Sequence, residues 1–150
     1  MIASQPSVQT VSFYINGQLE DAGTRRLMPV TNPATGAEIA QVAYATAEDV
    51  DRVAQAAHAA YLKWRDVPVV DRLQPLYRYK TLLEKHANEL AATLTTENGK
   101  TIDDARAEVR RGIQMVEVAC GMPTLMMGDS LNDVSSGIDS HTIQIGRAHV

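Results

Sequence analysis

Hydrophobic positions keep short, strand-like spacing over the first forty-odd residues and helical spacing after them. Phe13-Tyr14-Ile15 is β-prone, and Asn16-Gly17 before Gln18-Leu19-Glu20 is a strong hairpin signal. Leu27 to Val30 predicts a second short strand, which Pro29 confines to a sheet edge because it lacks an amide donor. Thr31-Asn32-Pro33-Ala34-Thr35-Gly36 supplies a turn. Glu38 to Ala43 then alternates as a half-buried strand does.

From Thr46 onward the spacing becomes helical. Thr46-Ala47-Glu48-Asp49 places a hydroxyl at the N-cap and a carboxylate three residues on, close to a capping box. Val50, Val53, Ala54, Ala57, Tyr61 and Trp64 follow as one apolar stripe. Pro68 suits the start of a second helix with Leu73, Leu76, Leu82 and Leu83 facing inward. Pro75 within it predicts a kink or a delayed start. A third helix, roughly His86 to Asn98, ends at Gly99, the residue that adopts a left-handed cap at least cost. Thr101 caps a fourth helix, with Asp104 at N3. After Gly121 the pattern turns irregular, and Ile138 to Gln144 alternates like a strand.

The fourth helix, about Thr101 to Cys120, has two apolar faces when its residues are spaced at ~100°. Ile102, Ala105, Val109, Ile113, Val116 and Cys120 form the core stripe. Asp104, Arg111, Met115, Val118 and Met122 lie opposite, where a surface helix would be polar. That second stripe predicts contact with a cavity wall or another subunit. Arg111 within it would be half-enclosed by apolar groups, where a guanidinium needs an anion. The residues leave two readings open: a bidentate grip on the carboxylate of a small substrate, or a surface pair with Glu108 one turn earlier.

Composition narrows the classes. At 150 residues, 45% hydrophobic and 21% charged, the chain has the make-up of a globular domain. A compact domain of that length buries about 68–70% of its unfolded surface. Fourteen basic and eighteen acidic residues give a net charge of −4, with no basic stripe, which argues against nucleic acid as a partner. A single cysteine, Cys120, fits a reducing compartment, and its place on the core stripe predicts a buried, unreactive thiol. His58, His86, His141 and His149 lack metal-ligand spacing, and no glycine-rich phosphate loop occurs. The start of the chain lacks the charged and apolar regions of a secretory signal. No stretch approaches the ~20 apolar residues of a membrane span, so the cytoplasm is the expected location.

Several segments carry a family likeness. Tyr14-Ile15-Asn16-Gly17, Thr31-Asn32-Pro33-Ala34-Thr35-Gly36, Ile39-Ala40-Gln41-Val42, Ala57 to Trp64 and Glu97-Asn98-Gly99-Lys100 occur in the order typical of the aldehyde dehydrogenase superfamily. From Phe13 to Gln144 the chain resembles the N-terminal portion of that superfamily. Thr95 to Thr101, Ala107-Glu108-Val109-Arg110-Arg111-Gly112, Cys120-Gly121-Met122-Pro123 and Leu125-Met126-Met127-Gly128 narrow the resemblance to methylmalonate-semialdehyde dehydrogenase.

The resemblance implies an α/β fold: short hairpin strands, then four helices, then the start of an oligomerisation strand. By that reading residues 1–12 are a tail, 13–128 the N-terminal part of an NAD-binding domain, and 129–144 the start of assembly strands. It implies an oxidoreductase dependent on NAD and coenzyme A, acting on methylmalonate or malonate semialdehyde. The products are propionyl-CoA or acetyl-CoA and carbon dioxide, as in valine, pyrimidine or inositol catabolism. The parent would be a homo-oligomer, dimer or tetramer. Arg111 matches the family arginine implicated in holding the substrate carboxylate. The nucleophilic cysteine, the dinucleotide-binding units and the coenzyme A contacts are expected beyond position 150, so the 150 residues alone should be inactive.

A non-acylating semialdehyde dehydrogenase, or a helical interaction module without catalysis, are the alternatives. The strand from Ile138 to Gln144 would be an unpaired edge, which predicts aggregation. The final Ile145-Gly146-Arg147-Ala148-His149-Val150 is what a widely used sequencing adapter encodes in one frame (ATC-GGA-AGA-GCA-CAC-GTC). These six residues are therefore expected to be adapter read-through, not native sequence.

Overall fold

A computed structural model describes residues 8–145. All but Ile145 of the adapter-like hexapeptide, and the first seven residues of the tail, lie outside the described residues. The architecture is mixed α/β, as expected, and divides into two compact units.

The first unit comprises residues 8–67 and 86–110. Its strands are β1 (Gln9–Val11), β2 (Phe13–Ile15), β3 (Gln18–Glu20), β4 (Leu27–Thr31) and β5 (Glu38–Ala43). β2 and β3 form the predicted hairpin, pairing Phe13 with Glu20 and Ile15 with Gln18. Asn16 and Gly17 both sit at positive φ, 50° and 81°, which gives the turn the twist of its strands.

β5 lies between β1, to which it runs parallel, and β4, to which it runs antiparallel. β4 is thus an edge, the position Pro29 requires. β1 falls in the segment that the sequence reading treats as a tail; three residues, Gln9-Thr10-Val11, are too few to give a periodic signal.

α1 (Ala47–Trp64) begins with the predicted capping box: the Asp49 amide donates to Thr46 Oγ1 at 3.2 Å, and the Thr46 amide donates to Asp49 Oδ2 at 2.9 Å. Asp49 does far more than cap. Although charged, it is only 5% exposed. Arg25 grips it with both prongs, Nε to Oδ2 at 2.9 Å and Nη2 to Oδ1 at 2.6 Å. Arg52 Nη2 adds a contact at 3.2 Å while its Nη1 donates to Glu20 at 2.7 Å.

The carboxylate therefore ties the 21–26 loop and the β3 end to the first turn of α1. Arg25, then Thr46, hold the Asp49 carboxyl far below the usual carboxylate range. Arg52 likewise lowers Glu20, while Glu20 and Asp49 raise Arg52.

The apolar stripe of α1 is present but uncovered. Val50 is 60% exposed and Trp64 46%, and Val53, Ala54, Ala57 and Tyr61 are exposed as well. The expectation that this face is buried is not met, because nothing among the described residues covers it. Buried apolar residues of this unit are small: Ala22, Ala43, Ala91 and Ala105. No large side chain is fully buried among the described residues, so the burial expected of a compact 150-residue domain is not reached.

α3 (Ala87–Asn98) ends as predicted at Gly99, whose φ is 69° and whose amide donates to the Thr95 carbonyl at 2.9 Å. The cap rests on the Asn32–Gly36 turn. An added Cβ at Gly99 would come within 2.9 Å of Pro33 Cγ.

The second unit comprises residues 68–85 and 111–145. α2 (Val69–Lys85) starts where Pro68 indicated and runs through Pro75. The predicted delay does not occur. Asp71 and Pro75 are both exposed, which leaves the carbonyl released by the missing amide open to water. Leu73, Leu76 and Leu83 are half-buried, but Leu82 is exposed, contrary to expectation.

α4 (Ile102–Cys120) contributes to both units and is followed by one short turn, α5 (Met122–Leu125). β6 (Ser130–Ser135) and β7 (Ile138–His141) then form an antiparallel pair. The strand from Ile138 is therefore shorter than predicted and paired on one side, not isolated. Its partner escapes the sequence pattern because Ser-Leu-Asn-Asp-Val-Ser lacks alternation and is irregular. Asp133 sits at φ 52°, and its amide donates to Asp139 Oδ1 at 2.9 Å.

Two stability tests follow from these contacts. Gly99→Ala forces a Cβ into a left-handed cap against Pro33, and should cost about 1–2 kcal/mol in urea unfolding. An unchanged midpoint would mean that the α3–α4 junction does not need this conformation.

Asp49→Asn should lower the unfolding midpoint at pH 7. The carboxyl of Asp49 is more acidic folded than unfolded, so its contribution is complete above the unfolded value of about 4 and shrinks below it. The gap between wild type and variant must therefore narrow as pH falls from 5 to 2, and a constant gap would contradict the ionic assignment.

Candidate functional site

α4 carries Arg111, the residue that sequence pattern and resemblance both single out. The helix starts on Thr101, whose Oγ1 accepts from the Asp104 amide at 3.2 Å and donates to Asp104 Oδ2 at 2.7 Å. Asp103 and Asp104 complement the positive end of the dipole. Its core stripe is seated largely as predicted: Ala105 and Cys120 are buried, and Val109, Ile113 and Val116 half-buried. Ile102, at the first helical position, is exposed.

The opposite stripe is open. Arg111, Val118 and Met122 are exposed, and Met115 is 65% exposed. The half-enclosure expected around Arg111 is not supplied by the described residues. Its apolar neighbours on α4, Met115 and Val118, can line one side only, and Met122 falls in α5; enclosure needs a wall from another element.

The surface-pair reading of Arg111 is altered as well. Glu108 is engaged by Lys100, whose Nζ forms an ion pair with Glu108 Oε2. A spacing of eight residues falls outside the helical i,i+3 and i,i+4 rules, so the sequence pattern does not announce this pair. Lys100 can reach because it precedes the helix, just after the Gly99 cap.

Other candidates resolve as structure. Cys120 is buried. Lys80 donates to Glu84 at 2.7 Å and lies 3.8 Å from Glu117; Glu84 is the main cause of its raised pKa. His86 Nδ1 meets Glu89 at 2.9 Å, and His141 Nδ1 meets Ser130 Oγ at 2.9 Å. Among the described residues no cluster of three potential ligands is arranged for a metal, and no helix is long and apolar enough to cross a membrane.

Among the described residues, the first turns of α1, α2, α3 and α4 already hold Glu48, Asp71, Glu89, and Asp103 and Asp104, acids that disfavour a phosphate at those helix starts.

A cavity of about 270 Å³ lies in the first unit, walled by Phe13, Tyr14, Ile15, Ala45, Val50 and Val53. Its one charged neighbour, Asp49, is committed to Arg25 and Arg52, so no free charge is offered to a ligand there. Arg111 is thus the one sequence-predicted site residue, and it stands on a helix face without a second functional group brought to it by the described residues.

The aldehyde dehydrogenase family model matches residues 19–146. A malonate-semialdehyde dehydrogenase of Bacillus pumilus is 46% identical over 137 residues, covering 91% of this chain and 28% of that protein. The crystal structure of methylmalonate-semialdehyde dehydrogenase from Oceanimonas doudoroffii superposes with a TM-score of 0.79 at 40% identity, covering 89% of this chain and 27% of that one. A Sinorhizobium meliloti protein assigned to the same enzyme, solved with NAD, gives a TM-score of 0.80 at 32% identity, over 93% of this chain and 28% of its own. The chain spans a little over a quarter of the length of the relatives it matches.

Proposed function

The chain belongs to the aldehyde dehydrogenase family, and from that membership we propose that it forms the N-terminal part of an NAD-dependent, coenzyme A-acylating oxidoreductase of methylmalonate or malonate semialdehyde. The observation that carries this reading is the likeness to malonate-semialdehyde dehydrogenases across nine-tenths of the chain. The uncovered apolar faces of α1 and α4 support it, since both have the pattern of helix faces that other elements cover.

In this reading residues 13–128 belong to an NAD-binding domain and 129–144 begin the strands through which a homo-oligomer forms. The 150 residues alone are inactive. Covalent aldehyde oxidation needs an accessible thiolate, whereas the sole cysteine, Cys120, is buried on the core side of α4. NAD and coenzyme A bind elsewhere in the whole enzyme, consistent with helix N-termini that are already acidic here. The location is cytoplasmic.

Arg111 binds the substrate carboxylate. It is exposed on the apolar outer face of α4, where a wall contributed by the rest of the enzyme would raise the strength of a bidentate contact. In the complete enzyme, Arg111→Leu should lower kcat/KM for methylmalonate semialdehyde roughly ten- to hundred-fold, as loss of a charge-assisted hydrogen bond does. Propanal, which has no carboxylate, should be turned over nearly as before. Equal losses on the two aldehydes would reduce Arg111 to scaffolding. Failure of coenzyme A to accelerate turnover, or to appear in the product, would remove the acylating assignment.

A further inference from the structure

On the premise that Arg111 grips the substrate carboxylate, we infer that Lys100 is a positioning residue that keeps Arg111 available by holding Glu108. Arg111 has one acidic neighbour within a helical turn: of Ala107, Glu108, Gln114 and Met115, at three and four residues either side, only Glu108 is charged. An acid three residues before an arginine is a standing internal competitor for its guanidinium. A carboxylated substrate must displace that competitor before it can bind.

The structure gives Glu108 another partner. Lys100 Nζ pairs with Glu108 Oε2, and the lysine side chain is only 30% exposed, so it is laid down along the start of α4. Its origin is fixed by three local constraints. Gly99 holds the left-handed cap of α3, Pro33 packs on that cap, and Thr101 begins α4. Lys100 stands between the two caps, so its backbone is set on both sides before its side chain reaches Glu108. The Glu97-Asn98-Gly99-Lys100 segment thus does more than punctuate two helices. It sends a cation along α4 to neutralise the one carboxylate that competes with substrate.

The test uses the complete enzyme with methylmalonate semialdehyde and propanal side by side. Lys100→Met should raise KM for the carboxylated aldehyde roughly two-fold, the size expected of a released i,i+3 competitor, with kcat and the KM for propanal unchanged. Adding Glu108→Gln to Lys100→Met should restore the wild-type KM, and Lys100→Arg should leave it unaltered. Should Lys100→Met not fold, Glu108→Gln alone gives the decision: KM for the carboxylated aldehyde at or below wild type supports the inference, and a rise overturns it.

An equal rise for propanal, or no restoration by Glu108→Gln, would make Lys100 purely structural and end the inference. If Arg111→Leu is carboxylate-selective while Lys100→Met has no effect, this inference fails and the assignment of Arg111 stands. If Arg111→Leu is not selective, both fall together.

Discussion

One carboxylate organises the first unit. Asp49 receives two hydrogen bonds from Arg25, one from Arg52 and two from Thr46, and it does so nearly shut off from water. A buried charge with so many donors stays ionised, whereas removal of a donor leaves the carboxylate short of a partner away from water. The arrangement specifies geometry as much as it stabilises. It fixes the entry of α1 against the 21–26 loop, and through Arg52 and Glu20 it reaches the end of β3. In a unit whose buried apolar residues are alanines, such directional contacts must supply specificity that a small core cannot.

Local chemistry made most elements legible in the sequence. The Asn16-Gly17 hairpin, the Thr46 capping box, the Gly99 cap and the Thr101 start each depend on residues within a few positions, and each forms as expected. Pro29 even indicated which strand would be an edge. What the sequence hid is nonlocal. Arg25 and Asp49 are 24 residues apart, and nothing in either segment announces the other. β6 was missed because its Ser, Asn and Asp residues break the two-residue rhythm and make an irregular ladder.

The site was legible in a different way. Helical angles single out the outer stripe of α4, and Arg111, Met115 and Val118 share it, whereas Met122 falls in α5 after the break at Gly121. They could not say what covers it, and the described residues do not. The same holds for α1, where Tyr61 and Trp64 stand exposed on a face patterned for burial. Patterning records the surroundings a helix is selected for, not those found within one stretch of chain. Kinship with proteins more than three times as long gives those faces a ready explanation.

Substrate recognition by an arginine on an exposed helix face poses a selectivity problem that charge alone does not solve. A guanidinium binds any carboxylate, and the nearest is usually its own neighbour on the helix. Two remedies exist: omit acids from the flanking turns, or neutralise the one that remains. α4 shows the second. Retaining Glu108 also gives Lys100 an anchor along the helix, so the same ion pair that quiets the competitor braces the junction between α3 and α4. On the proposed role of Arg111, that charge pair is of ordinary strength, small enough to leave the fold intact when broken and large enough to register in KM.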